Sequence, residues 1–141
     1  MSNRIKLPLF EWDIFNAERT FGPENVFWAS DFRWIQIKNF LLPKNYNKQT
    51  TNCLVIIPSG YGYGKGLEEF YVDSGLKIKH NGRWRDLPHY YRKNIYKGHS
   101  YYEKGWQWLC IHPEWSEGDN LLTFLKQVEL FLKYPFDESL I

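Results

Sequence analysis

The stretch that decides the fold reads Gly105-Trp106-Gln107-Trp108-Leu109-Cys110-Ile111-His112-Pro113-Glu114-Trp115 and continues Ser116-Glu117-Gly118-Asp119-Asn120-Leu121. Two periods meet in it. In an extended chain successive side chains alternate between faces, so Trp106, Trp108, Cys110 and His112 share one side while Gln107, Leu109 and Ile111 share the other. Downstream, Leu121, Leu122, Leu125, Val128 and Leu132 recur at helical spacing. Ser116 or Asp119 is the expected cap, and Pro135 the stop.

Upstream, Cys53-Leu54-Val55-Ile56-Ile57 is an apolar, β-branched run closed by Pro58, which predicts a buried strand. Ahead of it, residues 25–30 and 33–41 predict two paired strands joined at Asp31-Phe32, and residues 43–48 a polar turn. Phe70-Tyr71-Val72-Asp73 and Leu76-Lys77-Ile78-Lys79 predict an extended segment interrupted at Asp73-Ser74-Gly75. Residues 8–20 fit a short helix in which Leu9, Trp12 and Phe15 recur every three residues and Pro8 suits the first turn. From 80 to 105 the chain is polar, basic and tyrosine-rich without a sustained period, and reads as a long ordered loop. Loops of that length in a compact domain are usually functional.

The 141 residues make one domain, 1–141. A net charge of +2 with 43% apolar residues excludes a disordered chain. The longest aliphatic run, Leu54-Val55-Ile56-Ile57, falls far short of the ~20 apolar residues of a membrane span. Met1-Ser2-Asn3-Arg4 leads into no apolar signal segment, so the expected setting is cytoplasmic, with no membrane partner. Two cysteines are too few for a disulfide framework or a four-thiolate zinc site. His80, His89, His99, His112 and Cys110 have no paired helical spacing, so neither metal nor another cofactor is expected. Lys77, Lys79, Arg83, Arg85, Arg92, Lys93, Lys97 and Lys104 stand against only Asp86 and Glu103 and form a candidate basic patch. The glycine-rich Ser59-Gly60-Tyr61-Gly62-Tyr63-Gly64-Lys65-Gly66 fails the phosphate-loop pattern twice. Ser59 holds the first glycine position, and Gly66 stands where Ser or Thr should follow Gly-Lys. It reads instead as a flexible turn between strands, its tyrosines lying over the surface.

A cysteine is a nucleophile only as its thiolate, and a neighbouring imidazole favours that form. Cys110 and His112, facing the same way, are therefore the candidate nucleophile and its partner. Cys53 belongs to the core as a small apolar residue. A Cys-x-His pair alone fits an inert buried thiol as well as a catalytic one. The aromatic excess of 19% gathers around this segment. Trp106, Trp108 and Trp115 bracket Cys110, and Tyr90, Tyr91, Tyr96, Tyr101 and Tyr102 stiffen the chain leading to it.

The order of Ile35-Gln36-Ile37, Phe40-Leu41-Leu42-Pro43, Tyr46, Leu54-Val55-Ile56-Ile57-Pro58, Tyr61, Phe70-Tyr71-Val72-Asp73, Trp106-Gln107-Trp108, His112 and Trp115-Ser116-Glu117-Gly118-Asp119-Asn120-Leu121 resembles a prokaryotic branch of the ubiquitin-conjugating superfamily. The likeness spans roughly residues 20 to 135. It implies an α+β fold of the UBC type: an antiparallel strand meander, a long irregular active-site segment and a C-terminal helix. It also implies a conjugating enzyme that takes an activated ubiquitin-like protein from an activating enzyme as a thioester on Cys110 and passes it to an amine of a target protein. Relatives belong to bacterial operons that also encode an activating enzyme, a ubiquitin-like protein and a deconjugating peptidase, with antiviral defence as one setting.

The His-Pro-Asn tripeptide of the eukaryotic enzymes is missing, and the single His-Pro, His112-Pro113, follows the cysteine. Asn94 is the substitute asparagine for the loop and the oxyanion, with backbone amides near Cys110 and Gln107 as other donors. His112, Glu117 and Asp119 are the groups to orient or deprotonate the incoming lysine, although Asp119 also serves as a helix cap. The alternative is a non-catalytic UBC fold, or an aromatic-rich module binding a partner protein or single-stranded nucleic acid. The near-neutral charge and the lack of an RNA-binding motif weigh against nucleic acid.

Overall fold

The computed structural model describes residues 4–137. Helix α1 (Leu7–Phe21) comes first, followed by strands β1 (Val26–Trp28), β2 (Trp34–Leu41), β3 (Thr50–Ile56) and β4 (Phe70–Asp73). Then come β5 (Lys77–His80), β6 (Arg83–Asp86), β7 (Tyr90–Tyr91), β8 (Trp106–Leu109) and helix α2 (Leu121–Lys133). Six strands form one sheet in the order β1-β2-β3-β4-β8-β7, every neighbour antiparallel. The first four run as a meander. The chain then leaves to build the β5–β6 hairpin and returns to set β7 at the edge and β8 beside β4. This is the expected α+β meander with its C-terminal helix.

Both helices cover one face of the sheet. Phe10, Ile14 and Ala17 of α1 and Leu121, Phe124, Leu125, Val128, Phe131 and Leu132 of α2 join Ile35, Ile37, Cys53, Val55, Phe70, Val72 and Leu109 in one core. Each such side chain taken from water contributes about 1.5–3 kcal/mol before entropy is counted. The buried face of α1 is not the expected one. Trp12 is 54% exposed and Phe15 49%, stacked on each other at 5.8 Å, while Phe10, Asp13, Ile14 and Ala17 turn inward. Steps of four and three residues follow the 3.6-residue turn, whereas a strict three-residue step drifts around the helix.

The start of α2 also differs from expectation. Its cap is Asn120, whose Oδ1 accepts from Thr123 N at 3.1 Å while Thr123 Oγ1 accepts from Asn120 N at 2.8 Å. Asp119 sits one residue too early for that work, and its Oδ2 accepts from Ser116 N at 2.7 Å, closing the preceding turn.

The 80–105 segment contains β6, the short β7 and a 3-10 turn at Tyr102–Lys104. All four side chains of β6 are exposed, so no alternation marked that strand. In the glycine-rich turn Tyr61 lies wholly inside the protein, with only Tyr63 half-exposed. The Tyr61 hydroxyl donates to Asp13 Oδ2 at 2.5 Å, and Asp13 Oδ1 accepts from Leu121 N at 3.1 Å. One buried carboxylate thus ties α1, the turn and the first residue of α2 together. The turn also packs closely on Trp115, since a Cβ at Gly66 would stand 2.2 Å from that ring.

Candidate active site

β8 keeps its alternation past its last residue. Trp108 and Cys110 gather with Leu54 and Tyr71 on the sheet face away from the helices, edged by Trp34, Ile56, Tyr101 and Trp106. Leu109 and Ile111 point the other way, into the helix-side core. The Cys110 N–H donates to the His89 carbonyl at 2.7 Å, which holds the residue in line with the sheet. Cys110 is 7% exposed, and its Sγ lies 3.7 Å from His112 Nε2. The pair meets as the alternation required. Its electrostatics do not follow the expected direction, because burial pushes the Cys110 thiol up. Desolvation penalises the charged form, so the resting group is a thiol at neutral pH.

Cys110 borders two cavities. One, of about 230 Å³, is lined by Glu68, Glu69, Asn94, Lys97 and His112 among others. The second, of about 480 Å³, is more apolar and lies against His89, Tyr91, Ile95, Tyr96 and Trp108.

Asn94 is 3% exposed and works on the loop. Its Oδ1 accepts from Tyr96 N at 3.0 Å and Lys97 N at 3.1 Å, and its N–H donates to the His99 carbonyl at 2.9 Å. Asn94 thereby shapes the 94–99 turn that forms one wall beside the thiol.

A family model described as prokaryotic E2 family E matches residues 14–134. The chain belongs to that family. Membership implies a ubiquitin-conjugating-like role exercised with an activating enzyme and a ubiquitin-like protein. No curated protein and no solved structure gives a significant match to the chain.

As a prokaryotic E2 the chain builds its site differently from the sequence expectation in one quarter. Glu117 and Asp119 line another cavity, with Trp12, Gly64 and Lys65, and Cys110 is not among its walls. Gln107 turns to the opposite face, where its Oε1 accepts from Gly75 N at 3.4 Å. Two carboxylates line the Cys110 cavity: the exposed Glu68, paired with Lys97, and Glu69, 5% exposed. The Tyr71 hydroxyl donates to its Oε2 at 2.5 Å, and His99 Nδ1 contacts the same oxygen at 2.8 Å. Sequence reading passed over Glu69 and weighed His99 only as a metal ligand. The available signal was Glu69's place two residues before Tyr71, on the same strand face.

The tyrosines of the E2 segment act as the scaffold expected of them. Tyr101 meets Tyr71 edge-on at 5.0 Å, and Tyr91 and Tyr96 pack on Trp108 at 5.6 and 5.8 Å. Tyr90 donates to the Asp73 carbonyl and accepts from Leu76 N at 3.1 Å. Within the basic stretch, Lys77 pairs with Asp86, Lys97 pairs with Glu68 at 3.1 Å, and Arg92 lies over the Tyr102 ring at 4.5 Å. Among the described residues no helix is long and apolar enough to cross a membrane, and no group of three or more His, Cys, Asp and Glu side chains is arranged to hold a metal.

Proposed function

We propose that the chain accepts an activated ubiquitin-like protein from an activating enzyme as a thioester on Cys110 and transfers it to an amine of a target protein. The observation that carries this reading is the Cys110 Sγ to His112 Nε2 contact of 3.7 Å at the wall of a cavity, in a chain of the prokaryotic E2 family. Because the thiol rests protonated, the first step needs a base. His112 takes the proton as Sγ attacks the carbonyl carbon of the donor thioester, and the donor's thiol departs after collapse of the tetrahedral intermediate.

The oxyanion of that intermediate needs donors where its charge develops, worth about 2.7–4 kcal/mol for one well-placed group. The Cys110 amide is already committed to His89. The amides of Ile111 and His112 take no hydrogen bond among the described residues and are the donors nearest in sequence. Asn94 supports the reading through the loop it holds, the part of the missing asparagine's work for which its bonds are suited. Asp119 contributes through the turn ahead of α2, at a distance from the chemistry.

The test is incubation with the cognate activating enzyme, its ubiquitin-like protein and ATP. A reductant-sensitive adduct is expected in the wild type and in Cys53→Ala, and none in Cys110→Ala. An adduct that persists in folded Cys110→Ala overturns the assignment.

A further inference from the structure

Tyr71 pairs with Trp108 across β4 and β8, and carrying that register two residues further sets Glu69 opposite Cys110. Both residues remain tied to the sheet there. Ile56 N donates to the Glu69 carbonyl at 3.1 Å, and Cys110 N donates to His89 on its other side. The two side chains emerge on the helix-free face and line the same cavity of about 230 Å³.

The carboxylate is held by one oxygen only. Oε2 receives both the Tyr71 hydroxyl and His99 Nδ1, whose ring nitrogen must carry a hydrogen to meet a carboxylate. Oε1 has no partner among the described residues. Since no buried side-chain oxygen or nitrogen there lacks a partner, Oε1 keeps accessible surface, and Glu69 lines both the Cys110 cavity and a neighbouring one bounded by Lys97 and His99. A buried carboxylate fixed at one oxygen and free at the other, in the same cavity wall as a candidate acyl carrier, is arranged to receive a donor that approaches the sulfur.

We infer that Glu69 is a catalytic residue of the transfer step, taking the proton of the attacking amine at Oε1, with Tyr71 and His99 as its positioning residues. The inference rests on the thioester reading above. The acceptor lysine's ammonium gives one proton to Glu69 Oε1. The freed nitrogen pair then attacks the thioester carbonyl carbon, the C–N bond forms and the C–S bond breaks. The second nitrogen proton ends on the Cys110 sulfur by way of His112, leaving an amide, a thiol and a protonated Glu69 that releases its proton to water.

The experiment separates charging from discharge. Wild type and Glu69→Gln are charged with the activating enzyme, the ubiquitin-like protein and ATP. The adduct is then chased with free lysine or with hydroxylamine, a nucleophile already unprotonated near neutrality. Glu69→Gln is expected to charge as the wild type does, to discharge onto lysine about 10²-fold more slowly, and to discharge onto hydroxylamine at the wild-type rate. Unchanged lysine discharge overturns the inference, and so does an equal slowing with both nucleophiles, which marks a structural role. If Glu69→Gln does not charge, Glu69→Asp decides: lysine discharge slowed more than hydroxylamine discharge supports the role, and equal slowing overturns it. A wild type that never charges overturns the thioester reading itself, an outcome distinct from these.

Discussion

The two faces of the sheet each hold one cysteine, and they treat it in opposite ways. Cys53 on β3 is wholly buried under both helices, in a core of aliphatic and aromatic side chains. Burial and the nearby Asp73 charge both push its thiol well up. Cys110 lies on the face that no helix covers, beside His112 and at the wall of two cavities. Its thiol is pushed up by burial as well, so what distinguishes the pair is access and neighbours, not an already formed thiolate. One face is built for packing. The other keeps polar groups within reach of a sulfur.

If that division is right, damage to the helix face should be paid in stability. Phe124→Ala, which removes a fully buried ring packed edge-on against Phe70 at 5.7 Å, is expected to cost about 3–5 kcal/mol in denaturant unfolding. A loss below 1 kcal/mol would contradict a core centred there.

The same face carries a pH signature. Burial pushes the Asp13 carboxyl up to about 6, although the Tyr61 hydroxyl and Leu121 N–H bonds draw it down. A carboxyl raised in the folded state binds its proton more tightly there than in the unfolded chain. Its contribution is therefore full below the ordinary carboxylate range and is lost as pH rises through 6. Asp13→Asn removes that loss, so its stability relative to wild type should climb by roughly 2 kcal/mol between about pH 4 and pH 8. A difference that stays flat with pH would show that Asp13 carries no raised carboxyl in the folded protein.

On the open face the expected loss is in rate. His112→Ala should leave the unfolding midpoint nearly unchanged while slowing adduct formation on the order of 10²-fold at neutral pH, with the deficit shrinking as pH rises and the thiol ionises unaided. A uniform deficit at every pH would make His112 a packing residue.

The sequence made the Cys110 side of this comparison legible because period two runs unbroken from Trp106 to His112, and the sheet preserves it. The strong apolar stripe likewise revealed α2, although its cap went to Asn120 because Asp119 is used by the Ser116 turn. Long-range pairing hid the rest. Glu69 comes to share a cavity wall with Cys110 only because β4 and β8 pair, and Asp13 finds Tyr61 and Leu121 only once α1 crosses the turn and α2. Of the β5–β6 hairpin the first strand was legible in Leu76-Lys77-Ile78-Lys79 and the second was not, since the exposed side chains of β6 leave no apolar alternation to read.

Acyl transfer through Cys110 is tested by non-reducing peptide mapping of the wild-type adduct formed with the activating enzyme, its ubiquitin-like protein and ATP. The expected result is the ubiquitin-like C-terminus in thioester linkage to Cys110, with Cys53 unmodified. An acyl group found on Cys53, or on a lysine with Cys110 never occupied during charging, would contradict it.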